Sequence, residues 1–193
     1  MAVVLAPKQG LRALLARLRG RPDSEHEMSF NRVTNALVAL TLVIVAGLDP
    51  HITYVLLAFV ALSLAVFCQL LLDDRARPAR LGLMIVADMA MICFYMGASG
   101  TYGAGFWPLL LWTILGNGFR FGRTYLFAAT GVAVAGFAAV IAWSPFWREH
   151  LPLSIGLLVG LVAVPLYYAK LIRKLSRATE AAEQANRAKS YFL

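Results

Sequence analysis

The residues that could do chemistry in this chain are few, and the most informative one lies in apolar surroundings. Asp88 stands inside the apolar run Leu81–Gly97. In a membrane helix a carboxyl group near the centre costs about 2.5–3.5 kcal/mol, so it must face other helices, be protonated or pair with a donor. Two interpretations stay open: contact with a ligand head group or a switch role, and a hydrogen bond to Ser63, Thr113 or Asn117.

A second polar group lies in the segment Gly116–Arg123. Its glycines suit a helix end and a close backbone approach. Arg120 and Arg123 could hold a carboxylate or a lipid phosphate, since guanidinium groups match both geometries. The alternative for the two arginines is ordinary anchoring of basic residues at the inner membrane face. We therefore treat Asn117, Arg120 and Arg123 as candidate ligand contacts.

The sequence has no pattern typical of an enzyme or a metal site. No glycine-rich phosphate loop precedes a lysine, HExxH does not occur, and the three histidines are scattered in connecting segments. We therefore expect no catalytic residue, no metal ion and no cofactor in this chain. Cys68 and Cys93 lie in different apolar runs at different expected depths, so we expect no disulfide between them.

Composition indicates the solvent in which the chain folds. Of 193 residues, 60% are hydrophobic and 15% charged, and the mean hydropathy is +0.70. A soluble domain is nearer half apolar and a quarter charged. These values exclude a disordered chain, a collagen and a disulfide scaffold, and they favour an all-α polytopic membrane bundle. The 18 basic residues outnumber the 10 acidic ones, which gives a net charge of +8. Because these basic residues flank apolar runs, they indicate lipid head groups rather than nucleic acid as the partner.

The apolar runs predict six transmembrane helices, because a spanning helix needs roughly 20 mostly apolar residues. The predicted spans are Val33–Leu48, Ile52–Leu72, Leu81–Gly97, Ala104–Phe119, Tyr125–Trp143 and Leu153–Leu171. The first and the fourth are short, so five spans with one re-entrant segment remain the alternative. This assignment predicts a six-helix sensor domain over residues 31–171.

Basic residues predict the orientation of these spans. With the N-terminus in the cytoplasm, 17 of the 18 Lys and Arg residues lie on the inner side and only Arg148 lies outside. An odd number of spans would place one of the two large terminal basic clusters outside. The charge pattern therefore predicts a multi-pass protein of the bacterial inner membrane with both termini cytoplasmic.

Two segments are predicted to lie outside the bundle. Leu11–Arg19 has leucines on one helical stripe with arginines beside it, which is typical of an interfacial amphipathic helix. With the polar linker Arg21–Glu27 it makes a cytoplasmic segment over residues 1–30. At the other end, residues 172–193 form a juxtamembrane coiled-coil linker, which we expect to lead into a further domain. Its a/d seam repeats at spacings of 4, 3, 4 and 3 through Leu171, Leu175, Ala178, Ala182 and Ala185.

The last span carries two further features. Gly156 and Gly160 form a GxxxG pattern, which predicts either a homodimer contact or packing within the bundle. Pro165 cannot donate a hydrogen bond to the Leu161 carbonyl, so we expect a kink. The kink could be a hinge that passes a rearrangement through Leu171, Leu175 and Ala178, or a static bend.

Several short blocks resemble a known family. Ala181–Leu193 is similar to the run that enters the dimerisation helix of bacterial sensor histidine kinases. Arg21–His26, Gly116–Gly122, Ser144–Trp147 and Gly160–Tyr167 resemble the sensor region of RpfC-type kinases, in this order and spacing. Members of that family are receptors for diffusible signal factors, which are cis-2-unsaturated fatty acids used in quorum sensing.

The resemblance implies where the signal acts. It places Arg21, Asp23, Ser24 and Glu25 in the signal-contacting segment, and Asp88 matches an acidic position of the family. The family is often described with five spans and an external N-terminal segment, whereas the charge pattern here places that segment inside. A fatty acid can partition into the bilayer and reach either face.

The resemblance also implies the function and the partners. The chain would be the non-catalytic membrane input domain of a two-component sensor histidine kinase, with the ATP-dependent kinase core and the response-regulator domains beyond its C-terminus. Expected partners are a fatty-acid signal, membrane lipids and a second copy of the chain. Two other functions remain open: a membrane-anchoring and dimerising module without its own ligand, and a small transporter or channel.

Overall fold

The computed structural model describes residues 25–72 and 77–191, and these residues form helices joined by short turns, without a β-strand. The predicted all-α class is therefore confirmed, whereas the predicted amphipathic helix Leu11–Arg19 lies outside the described residues. The helices are α1 (Glu25–Val45), α2 (Pro50–Leu72), α3 (Pro78–Ala98), a 3-10 helix (Gly100–Phe106), α4 (Trp107–Phe121), α5 (Arg123–Trp143), α6 (Pro145–Glu149) and α7 (Leu151–Tyr191).

Within the described residues, five helices are long and apolar enough to cross a membrane: α1, α2, α3, α5 and the part of α7 from Leu151 to Gln184. The chain is thus a multi-pass membrane protein. The predicted span Ala104–Phe119 is not confirmed as a sixth long helix, since α4 has only 15 residues, or about 22 Å against a hydrocarbon core of about 30 Å. The predicted span is divided between Phe106 and Trp107 into the end of the 3-10 helix and an α-helix, with Pro108 in the first turn of α4.

The first helix begins earlier than predicted. Helix α1 runs over Glu25–Val45 rather than Val33–Leu48, so the last three residues of the predicted linker Arg21–Glu27 are helical. Glu25 and Glu27 stand in its first turn, where the helix dipole favours negative charge. Arg32 consequently lies inside the helix and not before it.

Residues 25–72 and 77–81 form one compact unit, in which α1 packs against α2. The turn between them has the hydrogen bonds of a Schellman motif. Leu48 N–H donates to the Val43 carbonyl at 3.2 Å, and Gly47 N–H donates to the Ile44 carbonyl at 3.1 Å. Gly47 has φ +60°, a left-handed conformation that glycine adopts without steric cost.

Residues 82–191 form a second compact unit, in which α4, α5 and α7 pack against one another. Small residues make the close approaches between helices. Gly118 of α4 lies against the Leu126 side chain of α5, and Gly136 of α5 lies against Cys93 of α3. Between apolar helices in lipid, such small residues increase van der Waals contact. Cys93 is buried, whereas Cys68 of the first unit is exposed, and both are free thiols.

One indole group ties the short helix α6 to α3 in this second unit. Trp147 is fully buried, and its Nε1–H donates to the Met96 carbonyl at 2.7 Å. Its ring meets Phe137 edge to face, with centroids 5.0 Å apart. The 3-10 helix approaches the same carbonyl, since a Cβ atom at Gly103 would overlap the Met96 oxygen.

We predict that Gly103→Ala lowers the free energy of unfolding by about 1–3 kcal/mol, because backbone atoms cannot yield to the new methyl group as a flexible side chain does. Thermal unfolding of the purified protein in detergent measures the loss. Gly105→Ala is the matched control in the same 3-10 helix, because its Cβ meets nothing within 4 Å. Equal melting temperatures of the two variants would contradict the close approach.

Candidate functional site

The first turn of α1 carries an ion pair that is almost removed from solvent. Arg80 donates to Oε2 of Glu25 from Nε at 3.0 Å and from Nη2 at 2.6 Å. The Arg77 backbone N–H lies 3.4 Å from Oε1 of the same carboxylate. The two side chains are only 9% and 7% exposed. This charge-assisted contact joins the start of α1 to the start of α3.

A polar stripe continues from Glu25 along α1. Ser29 and Arg32 follow at helical spacing, four and three residues further on, and both are buried. Ser29 is 1% exposed, and its hydroxyl makes no hydrogen bond to any residue in the described ranges. A buried hydroxyl normally has a partner, so the Ser29 donor is available to a ligand group.

The structure extends only to part of the predicted signal-contacting segment. Arg21, Asp23 and Ser24 lie outside the described residues. Glu25 is the member that can be placed, and its carboxylate is engaged with Arg80. That these four residues contact a signal stays a prediction.

Asp88 lies in α3 and is buried in the second unit. Two of the hydrogen-bond partners considered for it are engaged with their own helices: the Thr113 hydroxyl donates to the Leu109 carbonyl and that of Ser63 to the Phe59 carbonyl, both at 2.8 Å. The third, Asn117, is also buried, and its Nδ2 has no hydrogen-bond acceptor among the described residues. A ligand or switch role of Asp88 stays a prediction.

The turn between α4 and α5 brings Asn117, Arg120 and Arg123 to one end of these two helices. Gly122, with φ +85°, makes this turn. Arg120 folds back over Gly116, so that its Nη1 lies 3.0 Å from where a Cβ atom of that glycine would be. Arg123 is exposed, and its guanidinium lies 5.8 Å from the centre of the Phe127 ring. That these residues bind an anionic head group stays a prediction.

Helix α7 presents the predicted seam on its surface. It continues through Pro165, which is fully buried. Beyond it, Leu171 and Leu175 are 50% and 59% exposed, and Ala178 and Ala182 are exposed as well. The side chain of Ala185 lies outside what the structure describes. Apolar residues on one helical stripe are available for a partner helix.

On the same helix, Glu183 and Arg187 are 3.9 Å apart, at the spacing expected for a surface pair.

The two glycines of the GxxxG pattern differ in their surroundings. A Cβ atom at Gly160 would lie 3.2 Å from the Trp107 ring of α4, whereas at Gly156 it would meet nothing within 4 Å. Gly160 therefore makes room for packing within the bundle, and Gly156 faces open space. The two residues do not form one free dimer surface on α7.

Reasoning from the sequence missed Arg80, Ser29 and Arg32. The first span was predicted to start at Val33, so Glu25, Ser29 and Arg32 were placed before the helix. Their helical spacing was therefore not recognised. Arg80 stands 55 residues from Glu25, and no local pattern links the two. Among the described residues, no group of three His, Cys, Asp or Glu side chains could hold a metal ion.

Comparison with known proteins relates the chain to one kind of sensor. It is 32% identical over 195 residues to "Sensory/regulatory protein RpfC" from two strains of Xanthomonas campestris pv. campestris. The similarity covers 96% of this chain and 26% of that protein, so the chain spans about a quarter of the length of the curated relatives it matches. No protein-family model matches the chain, and no solved structure does.

Proposed function

We propose that this chain, an RpfC-type sensor region, is the membrane input domain of a two-component sensor histidine kinase that detects a cis-2-unsaturated fatty acid. The observation that carries the proposal is the similarity of nearly the whole chain to a sensory/regulatory protein. The five apolar helices support an input domain embedded in the membrane. The kinase core and the response-regulator domains would follow the C-terminal residue of this chain.

The chemistry of a fatty acid suggests where it binds. Each buried methylene of the tail contributes roughly 0.8 kcal/mol, so the tail belongs between helices or along their lipid face. The carboxylate needs donors at an interface, and either Arg21 on the linker or the pair Arg120 and Arg123 would supply them. Asp88 would repel it when charged and could donate a hydrogen bond when protonated. We therefore propose a head-group site at the cytoplasmic rim, near the segment of Arg21, Asp23, Ser24 and Glu25.

We predict that a cis-2-unsaturated fatty acid binds the purified chain and that Arg21→Ala weakens binding of the free acid more than binding of its methyl ester. Only the acid has a carboxylate for a guanidinium to match. Thermal unfolding with increasing ligand measures both affinities, since a ligand that binds the folded state raises its stability. Equal losses for acid and ester would show that Arg21 does not hold the carboxylate, and no binding of either by the wild-type chain would contradict the function.

Six membrane crossings with both termini in the cytoplasm are part of the proposal. The 3-10 helix and α4 together cover Gly100–Phe121, about 36 Å if seven residues rise 2.0 Å and fifteen rise 1.5 Å. That length exceeds the hydrocarbon core of about 30 Å. A crossing by this composite segment keeps both terminal basic clusters on the inner side, as the charge bias requires.

We predict that reporter fusions at Arg77 and at Gly100 report opposite sides of the bacterial inner membrane, with Gly100 outside. The helix α3 between them has the length and composition of one crossing. Alkaline phosphatase activity and fluorescence of a cytoplasmic reporter distinguish the two sides. An external N-terminus in the same assay would overturn the orientation.

We propose further that the chain is a homodimer and that α7 transmits the signal. Leu171, Leu175 and Ala178 begin the exposed seam, and Ala182 and Ala185 continue it. Pro165 lacks the backbone donor at its turn of α7, so this is the place where the helix can bend most easily. Gly156, facing open space, is a dimer contact within the span, whereas Gly160 is adjacent to the bundle.

We predict that Ala178→Cys crosslinks between protomers in a background with Cys68 and Cys93 replaced by serine, and that Ser176→Cys does not. Residue 178 lies on the a/d seam, whereas residue 176 lies off it. Oxidative crosslinking in membranes followed by electrophoresis measures the dimer band. Equal crosslinking at both positions would argue against the seam.

The second candidate function is a membrane-anchoring and dimerising module without its own ligand, which the exposed leucines of α7 favour. A small transporter or channel has less support, because the sequence has no inverted repeat and no chain of membrane-embedded ionisable groups. Stabilisation by the acid in the binding experiment separates the sensor from the anchoring module.

A further inference from the structure

We propose that Arg80 binds the carboxylate of the acyl ligand and that Glu25 occupies the Arg80 guanidinium until the ligand replaces it. This inference rests on the proposed function and adds a binding residue and a competition step to it. In this arrangement Glu25 is not a ligand contact but an internal substitute for the ligand head group. Ligand binding would then exchange one carboxylate for another at the same guanidinium.

The geometry of the ion pair supports such an exchange. Nε and Nη2 of Arg80 both donate to Oε2 of Glu25, at 3.0 Å and 2.6 Å. The head group of a fatty acid has the same charge and the same two oxygens as a glutamate side chain, so it satisfies the same donors. Because Arg80 is nearly buried, leaving it without an anion would be costly. Glu25 therefore contributes to balancing this charge when no ligand is bound.

A nearby donor favours the ligand in this competition. The hydroxyl of Ser29 lies one helical turn beyond Glu25 on the same face of α1, is 1% exposed, and bonds to no residue that the structure describes. A ligand carboxylate at the end of a flexible tail can accept this hydrogen bond together with those of Arg80. Met28, buried on the same face, offers an apolar surface to the first methylenes of the tail.

The exchange would also alter the connection between helices. Glu25 stands in the first turn of α1, and Arg80 stands in the first turn of α3. Their ion pair is a contact between residues far apart in the chain, and ligand binding would release Glu25 from it. Since the internal carboxylate reduces the fraction of protein that is ready to bind, it also lowers the apparent affinity of the ligand.

Three variants of the full chain test the inference, with cis-2-dodecenoic acid and its methyl ester as probes. Glu25→Gln keeps the shape of the side chain and removes its charge, so the affinity for the acid should rise roughly tenfold while that for the ester stays the same. Glu27→Gln is the matched control, because this carboxylate stands in the same turn and is exposed. It should change neither affinity.

The third variant removes both partners of the pair. Arg80→Gln alone would leave the Glu25 charge buried without this partner, so the double variant Glu25→Gln/Arg80→Gln removes both charges of the pair. Its preference for the acid over the ester should be roughly tenfold smaller than that of the wild-type chain. An undiminished preference for the acid in this variant, or weaker acid binding by Glu25→Gln, would overturn the role of Arg80 while the proposed function stands. Failure of the wild-type chain to bind either probe would instead reject the proposed function together with this inference.

Discussion

The constraint on which this structure depends is that the membrane interior supplies no water to polar groups. Every backbone N–H and C=O in that region must be satisfied within the protein, so the described residues that enter it are helical. Several side-chain hydroxyls follow the same rule. Threonines in the apolar helices donate to the carbonyl four residues earlier in their own helix, as Thr41 does to Leu37 and Thr130 to Leu126. Such groups are satisfied locally and leave the surface between helices apolar.

Charged groups cannot be satisfied in this way, and Glu25 and Arg80 instead pair with each other. A glutamate and an arginine that are each nearly buried must neutralise each other, and their contact joins two segments that are far apart in the chain. In a sensor for an anionic lipid-like molecule, the Arg80 donors that stabilise the folded chain would also be the donors that recognise the ligand.

In the second unit, the helix α7 packs in the core and also carries the exposed seam. Gly118, Gly136 and Gly160 let α4, α5 and α7 approach neighbouring side chains closely, so the core of this unit is dense. Helix α7 belongs to this core at Gly160 and Pro165, and further along it exposes the leucines of the seam. One continuous helix thus runs from the packed bundle to the surface that a partner can cover. In the proposed sensor, a change in the bundle would reach the kinase through this helix.

The amino-acid sequence by itself determined the all-helical class, the membrane environment and the approximate position of the five long apolar helices. It did so because the free energy of placing a helix in lipid is nearly a sum over its own residues, which hydropathy represents directly. The blocks that resemble RpfC-type sensors could also be recognised without a structure. The start of α1 was misplaced because Glu25, Glu27 and Arg32 are polar, although acidic residues are favourable at a helix N-terminus.

Only the tertiary structure decided the contacts that give particular residues their roles. It showed that Glu25 binds Arg80, that Gly160 packs against Trp107 while Gly156 faces open space, and that the segment before Phe121 divides into a 3-10 helix and a short α-helix. These features depend on which distant residues meet in space. No local pattern encodes that pairing, because it results from the packing of whole helices against one another.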